Sequence, residues 1–175
     1  TAPSGINNFG QIVGWYLDTT TQSPHPFHGF LESGGNFPNP PIDHPDLINT
    51  PFPFTVANGI NDSGQIVGYY TDPAAMANVG FLYSANTFTT ISVPGAAYTQ
   101  AQGINNSGQI VGTYFLGTGP HGYLYTANTF TTIDFPGALF TTATGINDRG
   151  DVVGWYADVK GEHGFLESGG IFTTI

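Results

Sequence analysis

One decapeptide, Gly-Ile-Asn-x-x-Gly-x-(Ile/Val)-Val-Gly, occurs four times: at Gly5–Gly14, Gly59–Gly68, Gly103–Gly112 and Gly145–Gly154. Successive copies start 54, 44 and 42 residues apart. Repeats of that period belong to stacked supersecondary units, solenoids or propeller blades. Whatever this chain folds into must therefore be built from four similar pieces.

Each piece reads as four short strands. The first ends in Gly-Ile-Asn, as in Thr141–Asn147, and an Asn-x-x-Gly turn follows. Asn initiates such a turn with its side chain, and Gly takes the left-handed position before the next strand. The second strand is typified by Gln11–Tyr16, the third by His-Gly-Phe-Leu (His28–Leu31, His121–Leu124 and His163–Leu166, with Val79 replacing His once and Tyr123 replacing Phe once), and the fourth by Phe-Thr-Thr-Ile. A Pro-Gly-Ala bend at Pro94 and Pro136 leads into the next repeat. The second strand is apolar on both faces, with Ile12, Gly14 and Tyr16 on one and Val13 and Trp15 on the other. A sheet wetted on one side would alternate apolar and polar. Burial of both faces calls for sheets sandwiched between neighbours, as in radially stacked blades. A linear solenoid would need polar end caps, and the first and last repeats share the same apolar core instead. The expected fold is all-β: one domain over 1–175, a four-bladed β-propeller of four four-stranded antiparallel repeats, with blades at about 1–42, 55–93, 99–135 and 141–175. Ala57, Ala101 and Ala143 place the Gly-Ile-Asn strand innermost, where space is tight. Ring closure would then rest on face-to-face packing of blades one and four.

Composition limits the partners. The formal charge is −10, with 2 Lys and Arg against 12 Asp and Glu. Phosphate-backbone binding needs clustered basic residues, so nucleic acid is excluded, as is adsorption to an anionic membrane. No apolar run approaches the length of a membrane span. With no Cys there is no disulfide, thiol nucleophile or Cys-type zinc site. A surface of Thr, Ser, Asn and Gly with almost no Lys reads as secreted, extracellular or cell-surface. The opening Thr-Ala-Pro-Ser, without an initiator Met, is what a mature or trimmed chain presents.

The Ile-Asn-x-x-Gly-x-Val-Val-Gly core with its His-x-Phe-Leu strand resembles the HAF-type repeat family of bacterial extracellular proteins. The resemblance covers nearly the whole chain, with His-Ala-Phe appearing as His-Gly-Phe or His-Gly-Tyr. It implies an exported repeat protein and supplies no catalytic residues.

Several constellations invite a chemical reading. His28, His121 and His163 look like a metal triad, but third-strand positions of adjacent blades should stand on the order of 20 Å apart, too far to share an ion. Glu32 and Glu167 look like a glycosidase pair, whose carboxylates must stand roughly 5–10 Å apart, and read better as solvated rim charges. Asn7, Asn61, Asn105 and Asn147 converge on the axis; as well as capping turns, they could hold a structural Ca2+ or other cation by oxygen ligands. No cofactor is required. Asp62, Asp148 and Asp151 lie close by, with Asn8 and Asn106 in the alternate blades.

The repeats disagree most in blade one, between Tyr16 and His28 and between Phe37 and Gly59. Both insertions fall on the face opposite the Asn-x-x-Gly turns and bring His25, Phe27, Asp43, His44 and Asp46 together as candidate ligand-binding residues. Loops on a rigid scaffold are where binding usually resides. Trp15, Tyr16, Phe27, Trp155 and Tyr156 are candidate stacking surfaces as well as candidate core. The expected function is a secreted, non-enzymatic binding module for a carbohydrate, another extracellular protein or itself. The alternative is a subunit of an extracellular fibre or surface layer, pairing through its exposed outer strands. A hydrolase or lyase using Asp and His of the insertion face ranks third, without a nucleophile motif to support it.

Overall fold

The computed structural model describes residues 1–18, 27–35, 41–47 and 54–175. It is almost entirely β: four antiparallel sheets stand side by side as the blades of a four-bladed β-propeller. Blade one contains β1 (Ala2–Ile6), β2 (Ile12–Leu17) and β3 (Phe27–Glu32). Ile42 bridges Gly29 as the outer-strand residue of that blade. Blade two is β4 (Thr55–Ile60), β5 (Ile66–Asp72), β6 (Ala77–Ser84) and β7 (Thr87–Ile91). Blade three is β8 (Tyr98–Ile104), β9 (Ile110–Leu116), β10 (Gly119–Thr126) and β11 (Thr129–Ile133). Blade four is β12 (Phe140–Ile146), β13 (Val152–Asp158), β14 (Gly161–Ser168) and β15 (Ile171–Thr174). Strands follow chain order within each sheet, with the Gly-Ile-Asn strand innermost.

Two local devices explain the decapeptide. The inner strand carries an irregularity in every blade, between Pro3 and Gly5, Ala57 and Gly59, Ala101 and Gly103, and Ala143 and Gly145. This bulge presses the inner strand's carbonyl onto the glycine that ends (Ile/Val)-Val-Gly: a Cβ on Gly68 or Gly112 would fall on the carbonyl oxygen of Val56 or Gln100. The turn is the second device. Asn7 Oδ1 accepts from the Phe9 and Gln11 N–H groups at 3.1 and 3.0 Å, and Asn61, Asn105 and Asn147 do the same in their own turns.

The core lies between blades. Val13 of blade one packs with Ala57, Ile60, Ile66, Tyr70 and Phe81 of blade two; Val67 and Val111 repeat this against blades three and four. Valine of the second strand thus faces the following blade, and isoleucine of the first and second strands faces the preceding one. That division is why the second strand is apolar on both sides.

The joint between blades four and one differs from the expectation of face-to-face packing. Neither β1 nor β2 has a substantial contact with β12 or β13, whereas inner strands of all other adjacent blades touch extensively. The four blades form an arc open on one side.

Candidate functional site

The crossover after blade one, which sequence alone presents as an insertion, contains a disguised copy of the regular bend. His44-Pro45-Asp46-Leu47 occupies the place of Val93-Pro94-Gly95-Ala96 and Phe135-Pro136-Gly137-Ala138. In each, the fourth residue's N–H donates to the first residue's carbonyl, at 2.9, 3.1 and 3.1 Å. In each, the first residue's N–H donates to a threonine hydroxyl of the next inner strand: Thr55, Thr99 and Thr141. His44 is 6% exposed and lies flat on Tyr70, ring centroids 3.7 Å apart at 4°. Phe135 lies on Tyr156 with the same separation and angle. Burial holds the His44 imidazole below its ordinary pKa, against the pull of Asp46 and Asp72. His44 is therefore a packing residue, and its expected place in a ligand site is corrected by its burial. Asp46 is exposed at the bend, where its N–H donates to His44 Nδ1 at 3.3 Å and its carboxylate stands 3.6 Å from the same nitrogen.

Asp43 has a different partner. Its Oδ2 lies 2.7 Å from His28 Nδ1, and burial raises its carboxyl pKa while the hydrogen bond to His28 opposes the rise. Blade three repeats this pair as His121 Nδ1 and Asp134 Oδ2 at 2.8 Å. Blade two has Val79 and Ser92 at the two positions. Blade four pairs His163 Nε2 with Asp158 at 3.2 Å. Each imidazole also lies beside the tyrosine of its own second strand, Tyr16, Tyr114 or Tyr156, with centroids 5.2, 5.3 and 5.1 Å apart. The histidines are staples within single blades, so no shared metal triad forms. Asp43 with His28 is one member of that series and no isolated catalytic dyad. Glu32 and Glu167 each accept from a glycine N–H of their own Ser-Gly-Gly turn, Gly35 and Gly170. His25 lies outside the described residues.

The four axial asparagines line a cavity of about 240 Å³ with Ile6, Ile60, Ile104, Ile146 and the residues at 8, 62, 106 and 148. Their amide oxygens are each taken by two turn N–H groups, as above. Their amide nitrogens reach across the blades: Asn7 Nδ2 donates to the Asn61 carbonyl at 3.1 Å, Asn61 to Asn105 at 3.1 Å, and Asn105 to Asn147 at 3.0 Å. Asn7, Asn61 and Asn105 thus act as rivets between turns, while Asn147 Nδ2 donates to Asp151 Oδ2 of its own turn at 2.8 Å; a cation taking an amide oxygen would displace one of the turn N–H groups. Among the described residues no three His, Cys, Asp or Glu side chains group as metal ligands.

Outside these residues runs a second chain of bonds. Asn8 donates to Asp62 through N–H and Nδ2 at 2.9 and 2.7 Å. Asp62 N–H donates to Asn106 Oδ1, and Asn106 Nδ2 donates to Asp62, at 2.8 and 3.0 Å. Asn106 donates to Asp148 through N–H and Nδ2, both at 2.8 Å. The rim thus alternates Asn, Asp, Asn, Asp. Amide contacts hold the Asp62 carboxyl below its usual range, the Asn8 N–H most strongly.

On the opposite face, Phe27 joins an aromatic row across blades one and two. Trp15 and Phe27 have centroids 5.2 Å apart, Phe27 and Phe54 5.0 Å, and Phe54 and Tyr69 5.9 Å. All four are half-buried. Blades three and four each carry a shorter version within one sheet, Tyr98 with Phe115 and Phe140 with Trp155. Sequence reasoning singled out Phe27 and Trp15 but missed Phe54 and Tyr69. The signal was present: Phe54, Tyr98 and Phe140 share one repeat position.

No family model matches the chain, and no curated protein matches it. Among solved structures it is similar to the β-propeller domain of the Trilobed protease from Pyrococcus furiosus, which has an open velcro topology. The identity is 14% and the TM-score 0.61, over 94% of this chain and 51% of that one. It is also similar to a streptogramin B lyase, at 17% identity and a TM-score of 0.52, over 98% of this chain and 53% of that one. These likenesses carry the fold alone. The chain spans about half the length of either.

Proposed function

We propose that the chain is a secreted, non-enzymatic binding module that takes a neutral, glycan-like ligand on the face carrying the blade-one insertions. The observation that carries this reading is the row Trp15, Phe27, Phe54 and Tyr69. It spans two blades, is half-buried, and its Phe27 and Phe54 follow the two insertions in sequence. Sugar rings stack on such surfaces through their C–H faces, and a side chain already fixed by its neighbours loses little freedom on binding. The charge of −10 favours an uncharged ligand over an anionic one. Among the described residues, His28, His121 and His163 are paired with Asp43, Asp134 and Asp158, and Glu32 and Glu167 accept from their own turns. Export is what the HAF-type resemblance implies.

The test is a glycan array followed by calorimetry on the best ligand. Trp15→Ala and Phe27→Ala should each weaken binding about tenfold, the value of one stacked aromatic of roughly 1.4 kcal/mol. Tyr98→Ala, at the equivalent place one junction on, should leave affinity unchanged. Equal losses in all three variants, or no glycan bound by the unaltered chain, would sink the reading. Deleting 38–53 is unsuitable, because it removes Ile42, His44 and Leu47 from the core between blades one and two.

A further inference from the structure

Three of the four joints that a ring of blades requires are made within the chain, and the fourth is open. Val13, Val67 and Val111 are each 0% exposed against the following blade, while Val153, at the same position, is 42% exposed. On the other side of the sheet, Ile60 and Ile104 are 7% and 8% exposed against the preceding blade, while Ile6 is 67% exposed. A Cβ on Gly59 would come within 3.4 Å of Gly103 Cα, and one on Gly103 within 3.2 Å of Gly145 Cα; a Cβ on Gly145 would meet only Val153 of its own sheet. Apolar depressions mark both faces: Pro3, Gly5, Ile6 and Ile12 line one, Gly145, Val153 and Leu166 the other.

These are the two halves of a joint that the chain has already built three times. Residues that bury Val67 against blade three have their counterparts on blade one, and Val153 is the counterpart of Val67. The polar rim agrees. The series Asn8, Asp62, Asn106, Asp148 ends on an aspartate whose following neighbour is missing and begins on an asparagine whose preceding neighbour is missing. Between Asp62 and Asn106 the main-chain N–H of the aspartate donates to the amide oxygen, and the amide nitrogen donates back to the carboxylate. An Asn8 seated after Asp148 would repeat that exchange. Likewise Asn147, which makes no bond to a neighbouring blade among the described residues, would gain an Asn7 carbonyl.

We propose that the occupant of both faces is a second copy of this chain. Blade four of each copy seats on blade one of the other, and the two identical joints close a two-fold ring. Because the contact is head-to-tail, closure is what separates a ring from an endless filament. The size fits. A face of four strands of about seven residues measures roughly 23 by 19 Å, so two faces cover about 900 Å² per copy, close to the standard for a stable interface. The two solved propellers it resembles are each matched over only half their length, which is the arc one copy would contribute.

Sedimentation velocity and light scattering on residues 1–175, over a wide concentration range, test this. The expected result is one discrete species at twice the 18.5 kDa chain mass. Val153→Arg and Ile6→Arg place an unpaired charge in the joint and should each weaken association at least roughly 100-fold. Val159→Arg, at the exposed tip of the β13–β14 turn, should not. Both positions are exposed in the single chain, so folding, checked by circular dichroism, should be retained. Mixing Val153→Arg with Ile6→Arg should give heterodimers held by one intact joint, since each variant keeps the face that the other has lost. The second joint stays broken, so the mixture should associate more tightly than either variant alone but less tightly than the parent. A monomer at every concentration overturns the proposal, and so does an unbounded ladder of masses. Dimers that Val153→Arg leaves intact, or a mixture that associates no more tightly than either variant alone, overturn the head-to-tail joint.

Discussion

Asn105 is the residue on which the riveting of the turns can be measured. It is 3% exposed. Its Oδ1 accepts from the Ser107 and Gln109 N–H groups at 3.1 and 2.9 Å, and its Nδ2 donates to Gln109 Oε1 at 2.7 Å and across the blade boundary to the Asn147 carbonyl at 3.0 Å. Asn147 caps its own turn in the same way, with Arg149 N–H and Asp151 N–H both at 3.0 Å, but is exposed and among the described residues has no cross-blade bond. Alanine at either position removes the same two turn bonds. Only at Asn105 does it also empty a buried position and cut the link to the next blade. With about 1 kcal/mol per net hydrogen bond and a further penalty for each buried group left unpaired, Asn105→Ala should cost about 3–4 kcal/mol and Asn147→Ala about 1–2. Urea unfolding followed by tryptophan fluorescence gives both values, provided the slopes agree. Both variants belong in the Val153→Arg chain, so that Asn147 stays on an uncovered face. Losses within about 0.5 kcal/mol of each other, half the value of a single hydrogen bond, would refute the idea that this amide couples blades.

Three further outcomes follow from the staples and the bends. His44→Phe restores the residue that Phe135 supplies in the same geometry. His44 is held neutral by burial, with its folded pKa below the unfolded value of about 6.5, so its contribution is complete above that pH and is lost as pH falls through it. The variant should therefore melt higher than the parent at pH 5 by more than at pH 8. His28→Val alone strands the half-buried Asp43 carboxylate and should cost about 2 kcal/mol, while His28→Val with Asp43→Ser, the combination blade two uses, should recover at least half of that in chemical denaturation. Gly112→Ala should abolish folding, read as loss of near-ultraviolet dichroism, because its Cβ would fall on the Gln100 carbonyl and Tyr123 leaves no room for the sheet to shift.

Much of the fold was legible because the architecture repeats itself in residue types. Apolar residues on both sides of Ile12–Tyr16 required neighbours on both sides, and the asparagine turns announced themselves by spacing. The crossover at His44 was hidden because the copy changed chemistry: histidine stands where valine or phenylalanine stands elsewhere, and Asp-Leu where Gly-Ala stands. Only the proline and the downstream threonine kept the frame. The open joint was illegible for another reason. Val153 and Ile6 are the same residue types as their buried counterparts, and closure depends on the angle between blades, which no single repeat encodes. The axial asparagines were read as turn caps and as cation ligands; the bonds on each amide oxygen show the first role.

The alternating rim also bears on how such a chain can lengthen. Repeats at Asn8 and Asn106 end in an amide, and those at Asp62 and Asp148 in a carboxylate. Duplicating one repeat in place would set like beside like, two carboxylates in one contact or two amides with no acid between them. Duplicating an adjacent pair preserves every contact. The unit of growth by gene duplication is then two blades, and a designed chain extended by one blade should be less stable per repeat than one extended by two.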